Sequence, residues 1–163
     1  MSSADPEAQP AEDGRDETVL EKLDRNTIEL LNELRVASTG IQVMFGFLLI
    51  VPFNSGFQRI SSFEKTVYFV TLLCVATASV LLMAPSIQHR VLFRSGQKDY
   101  LVRTANRLAI MSMVFIGLGF TGILVLLSDF VLGGVAPIIV GVLAAAGIGT
   151  LWFAAPVARR LRH

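Results

Sequence analysis

Three polar residues, Ser38, Thr39 and Gln42, break into an apolar run just after Glu33 and Arg35, in the stretch ELLNELRVASTGIQVMFGFLLIVPF from Glu29 to Phe53. On a helix, Arg35, Ser38, Thr39, Gln42 and Gly46 share one face of about a third of the circumference, and Glu33 points nearly the opposite way from Arg35. Such a face has two uses. It can line a path for an ion or polar solute. Or it can join helices, with hydroxyl and amide groups bonding a neighbour and Gly46 admitting its backbone. None of the embedded groups ionises, which favours packing.

A second constellation sets acids against bases. Glu29 and Glu33 precede the apolar run, while Arg90, Arg103 and Arg107 lie in a distant basic segment that the helical register places at similar depth. One reading is an ion-pair network between the two segments. The other is two separate solvated faces, with the arginines turned to anionic lipid head groups. Contact predicts that charge reversal at Glu33 is rescued by reversal at Arg107 or Arg90.

Other chemistry finds little support. His89 is a lone histidine in a basic segment and His163 is the last residue, so no Ser-His-Asp set, carboxylate pair or metal-ligand cluster assembles within the apolar runs. Cys74, the single cysteine, sits in an apolar run and reads as a small buried hydrophobe. GLGFTG, Gly117 to Gly122, matches G-x-G-x-x-G but has no preceding strand, which a nucleotide-binding loop requires. Gly141, Ala145 and Gly149 recur every fourth residue and read as a helix-packing stripe, within the chain or between copies. Beyond the N-terminal segment the acids are Glu64, Asp99 and Asp129, all placed at the ends of apolar runs. An ion-coupled carrier usually places an ionisable group near mid-membrane, so this placement argues against a self-contained antiporter. The expectation is no catalytic residue, no cofactor, no metal and no enzyme.

The elements that must position these residues follow from composition. Of 163 residues, 53% are apolar and 17% charged, and the apolar ones concentrate in four long runs. Each is near the ~20 residues that cross a bilayer. The spans are placed at about 36–52, 67–84, 108–127 and 135–153. Pro52, Pro85 and Pro156 mark the ends of the first, second and fourth, and Pro137 the start of the fourth. Residues 1–17 are acidic, rich in Pro and Ala and poor in large apolar side chains, as a disordered tail is. No basic n-region precedes an apolar core, so no signal peptide is read there. Residues 18–35 form an amphipathic helix continuous with the first span, with a capping box at Thr18–Glu21 and a stripe of Leu20, Leu23, Leu30, Leu31 and Leu34. Residues 36–158 make the transmembrane domain, and 159–163 a basic C-terminus.

Lys and Arg give the orientation. Twelve fall before span one, between spans two and three, or after span four; only Arg59 and Lys65 fall on the other side. Both termini are therefore placed in the cytoplasm. The segment from Ser86 to Ala109 keeps helical character apart from Ser95-Gly96, so helices two and three are expected to run on into a basic cytoplasmic hairpin. Ten such residues project by about 15 Å.

The elements LDRN, NELRVA, TG-Q, AP--HR--FR and ANR-A, spread over Leu20 to Phe153, resemble a family of small four-span membrane proteins of unknown function, common in actinobacteria and often labelled sodium:proton antiporters. The resemblance implies four helices and a bacterial inner membrane, with no established chemistry. Residues and resemblance together lead to an all-α, polytopic protein of the bacterial plasma membrane. It is expected to be a non-enzymatic scaffold, accessory subunit or envelope interaction protein, with an antiporter or transporter component as the alternative. The expected partners are the lipid bilayer, anionic head groups at the basic hairpin, and a second copy or another membrane protein; nucleic acid is not among them.

Overall fold

A computed structural model describes residues 19–91 and 98–161. The acidic tail, Thr18 of the capping box and the hairpin tip with Arg94 and Gly96 lie outside the described residues. So do the side chains of Leu20, Glu21, Leu23, Leu30, His89 and Asp99. The described chain is all-helical. α1 spans Val19–Ile50, α2 Ser62–Val91 and α3 Lys98–Val131; α4, Ala136–Gly149, runs through a π-helical turn at Thr150–Ala154 into α5, Ala155–Arg160. Four stretches are long and apolar enough to cross a membrane: Leu31–Phe53, Ser62–Gln88, Arg103–Val131 and Ala136–Arg160. Their outer faces expose large apolar groups such as Phe47, Phe69, Val80, Leu127 and Leu143. A water-soluble monomer seldom exposes so much contiguous apolar surface; lipid accepts it.

Each helix end has a local cause. Pro52 has no N–H to give to the Leu48 carbonyl, so α1 stops and the chain tightens into 3-10 turns at Val51–Phe53 and Ser55–Arg59. The Leu48 carbonyl is not left bare: the buried Tyr68 hydroxyl donates to it at 2.9 Å, and Phe57 stacks edge-on against the Tyr68 ring, centroids 5.1 Å apart. α2 opens on a reciprocal cap. The Ser61 N–H donates to the Glu64 carboxylate at 2.7 Å, and the Glu64 N–H donates to the Ser61 hydroxyl at 3.2 Å. α3 closes at Gly133, whose φ of 63° suits glycine; its N–H donates to the Asp129 carbonyl at 3.0 Å and to Ser128 at 3.2 Å.

Two prolines expected to end helices do not. Pro85 sits fully buried inside α2, which continues to Val91. A proline within a helix forfeits one hydrogen bond, but neighbouring helices offset the loss in a packed membrane helix. Pro156 lies in the first turn of α5. The π-turn before it widens the helix, with the Ala155 N–H reaching back five residues to the Thr150 carbonyl. This lets the helical path continue to Arg160. Pro137, expected at a helix start, is in the first turn of α4.

Packing is centred on α2 and α3. α2 buries Tyr68, Thr71, Val75, Ala78 and Leu82; α3 buries Ala105, Ala109, Ser112 and Ile116. α1 adds Leu34, Ile41 and Leu48, seven residues apart on one face. Among the described residues, α4 packs on α3 and on neither α1 nor α2, so the four helices do not close into a ring. GLGFTG proves to be the contact surface of α3. A Cβ on Gly119 would come within 2.8 Å of the Val75 side chain, and one on Gly117 within 2.9 Å of Ile148. One on Gly122 would overlap the Thr71 hydroxyl and approach its Cβ to 3.0 Å. α2 and α4 thus press on α3 where it lacks side chains, the small-residue packing expected in lipid.

Gly122→Ala is expected to cost about 1–3 kcal/mol by overpacking, and Thr71→Ala to restore part of it. Gly147→Ala, with nothing within 4 Å of the new methyl, is the control. Unfolding of the three variants in detergent measures this; equal stability of Gly122→Ala and wild type would refute the close contact.

Candidate functional site

The polar face of α1 separates into parts. Its core face is set by Leu34, Ile41 and Leu48, and the polar stripe lies to one flank of it. Arg35 and Ser38 line a groove of about 360 Å³ between α1 and α2, together with Leu31 of α1 and Leu82, Met83, Ser86 and Ile87 of α2. Thr39 turns back on its own helix, donating to the Arg35 carbonyl at 3.1 Å. Gln42 and Gly46 are exposed, and a Cβ on Gly46 would meet nothing within 4 Å. Ser86 is the member of this group that reading α1 alone misses. The signal for it was present: Ser86 and Arg90 are one turn apart on α2.

On the other flank of α1, a groove of about 480 Å³ runs between α1 and α3 to the π-turn, bounded by Gly40, Met44, Met113, Phe120 and Trp152 among others. Among the described residues no ionisable one lines it. A Cβ on Gly141 of the small-residue stripe would come within 2.8 Å of the Val125 side chain of α3, whereas one on Gly149 would meet nothing within 4 Å. Ala145 and Gly149 instead border a shallow groove between α3 and α4.

Glu29, Glu33, Arg90, Arg103 and Arg107 are all exposed. Among the described residues, no ion pair joins Glu29 or Glu33 to Arg90 or Arg107. The register gives a reason for Arg107: it shares its α3 face with Val114, Leu118 and Thr121, which border α4 rather than α1. Hydroxyls inside the helices are occupied locally. Ser112, fully buried, donates to the Ala109 carbonyl at 2.7 Å; Ser128 donates to Val125 at 2.9 Å and Thr121 to Gly117 at 2.8 Å. Among the described residues no group of three His, Cys, Asp or Glu is placed to hold a metal ion. The described core therefore offers packing contacts and, at Ser112 and Ser128, hydroxyls bonded to their own helices, and the polar groups left available line the flanks and ends.

Residues 16–156 match the sequence model of DUF6328, a family of unknown function. No curated protein matches the chain, and no solved structure does.

Gly46→Ala tests what lies against the polar face. In the single chain the methyl enters open space, and replacing a mid-helix glycine stabilises by about 0.5–1 kcal/mol. A stability gain in detergent is expected. A loss, or a change of oligomer size, would show instead that another helix packs on this face.

Proposed function

The chain belongs to this DUF6328 family, and we propose that it is a non-enzymatic protein of the bacterial inner membrane that acts through contacts, as a scaffold, accessory subunit or envelope interaction protein. The observation that carries this reading is the core. Among the described residues its buried polar groups are Thr71, Ser112 and Ser128, and none of them ionises. A carrier coupled to protons or cations needs an ionisable group on its path. In this reading both termini face the cytoplasm, because twelve of the fourteen Lys and Arg residues lie on that side. The ends of α2 and α3 form a basic hairpin there. The partners are anionic head groups at the hairpin and either a second copy or another membrane protein.

One observation favours a second reading, a component of a cation:proton antiporter. Arg35, Ser38 and Gln42 form a polar stripe on a helix flank, and a second protein packed there would enclose it.

Two measurements test these readings. Green fluorescent protein fused after His163 is expected to fluoresce, and alkaline phosphatase fused within the 132–135 turn to be active; the reverse pattern would invert the topology. Purified protein in liposomes is expected to leave an imposed pH gradient intact when Na⁺ or K⁺ is added. Saturable, cation-dependent collapse of the gradient that disappears in Gln42→Ala would replace the contact reading with the antiporter one.

A further inference from the structure

The groove between α1 and α2 has features that the contact function does not use. Its polar groups are the Arg35 guanidinium and the hydroxyls of Ser38 and Ser86, and no acid lines it among the described residues. Arg90 follows Ser86 by one turn on the same face of α2, so a second cation stands above the groove mouth. Among the described residues neither guanidinium has a hydrogen-bond or ion-pair partner, and the Ser38 and Ser86 hydroxyls make no hydrogen bond. This contrasts with Thr39, Ser79, Ser112, Thr121 and Ser128, whose hydroxyls donate to carbonyls of their own helices. Glu33 lies two residues from Arg35, hence about 200° around α1, and cannot serve as its counterion.

Depth narrows the ligand. Arg35 lies within the first candidate span, four residues from its start, and Ser86 two residues before the end of the second. Helices of 23 and 27 residues are about 35 and 40 Å long, against a hydrocarbon core of about 30 Å. Their ends reach the layer of phospholipid phosphates. An arginine near the end of a membrane helix takes its charge to that layer, and its planar donor fork matches a phosphate oxygen pair. Below the cation the groove wall is apolar, with Leu82 and Met83 running inward.

We propose that this groove binds one anionic phospholipid. The phosphate accepts hydrogen bonds from Arg35, Ser38 and Ser86, Arg90 adds charge at the mouth, and an acyl chain lies along Leu82 and Met83. Anionic lipid is selected over zwitterionic lipid because the groove carries positive charge and no acid to receive a choline or ethanolamine group. The inference rests on the membrane reading above but not on the protein's mode of action.

The test uses the full chain purified in neutral detergent, observed by native mass spectrometry with equal phosphatidylglycerol and phosphatidylcholine of the same acyl composition. A retained phosphatidylglycerol adduct in clear excess is expected. Losing a charge-assisted hydrogen bond worth about 1.5–3 kcal/mol should weaken binding by roughly ten-fold or more in Arg35→Ala. Ser38→Ala/Ser86→Ala should weaken it less, and Glu33→Gln not at all. Should Arg35→Ala unfold, the serine double variant and Arg35→Lys decide the matter. Equal retention of the two lipids, or unchanged preference in the folded variants, would overturn the proposal. Displacement of the adduct by excess inorganic phosphate would also overturn it, by making the site one for free phosphate. Insertion into phosphatidylcholine vesicles separates the two readings: a chain that inserts without preferring phosphatidylglycerol loses this site and keeps the membrane function, and one that does not insert loses both.

Discussion

The architecture depends on how closely α2 and α4 approach α3. Lipid tails are as apolar as the side chains they surround, so burial drives helix association weakly in a membrane and close packing matters more. Gly117, Gly119 and Gly122 remove side chains where Ile148, Val75 and Thr71 press in. These contacts seat α2 on one side of α3 and α4 on the other. α1 then packs against the α2–α3 pair through Leu34, Ile41 and Leu48. With α4 on α3 alone, the arrangement leaves two flanks of α1 open, and both grooves bordering α1 follow from that.

The same medium governs what happens at prolines. Each one removes a donor, and a carbonyl without a partner in hydrocarbon is costly. At Pro52 the Leu48 carbonyl takes the Tyr68 hydroxyl instead, tying the end of α1 to α2. At Pro156 the preceding π-turn shifts the bonding register. At Pro85 the helix carries on in the most heavily packed region of the molecule. At Pro85 and Pro156, unlike Pro52 where α1 ends, the helical path stays unbroken, which keeps the arginines of α2 and α5 at the ends of the spans.

Polar chemistry is thereby pushed to the periphery. Buried hydroxyls such as Ser112 and Ser128 are spent on their own helices. Arg35, Ser38 and Ser86 instead converge from two helices on one groove. The polar face of α1 divides along its length. Its outer half meets α2 across a polar-mouthed groove, and Gln42 and Gly46 face outward.

What was legible in the sequence reflects where the information lies along the chain. Four apolar runs, Pro137 at a helix start and the lopsided distribution of Lys and Arg are local in the chain, because bilayer thickness constrains residue counts directly. The S-x-x-E cap at Ser61–Glu64 is local too, the same pattern as at Thr18–Glu21. Pro85 and Pro156 misled because a helix stop inferred from the missing N–H alone ignores what neighbours and a π-turn can offset. By itself the sequence determined the number of spans and the charge of each end. Only the tertiary structure decided that GLGFTG is a packing surface, that α4 stands apart from α1 and α2, and that Arg35 shares a groove with Ser86. Which faces meet depends on side chains far apart in the chain coming within a few ångströms, and no local pattern encodes that distance.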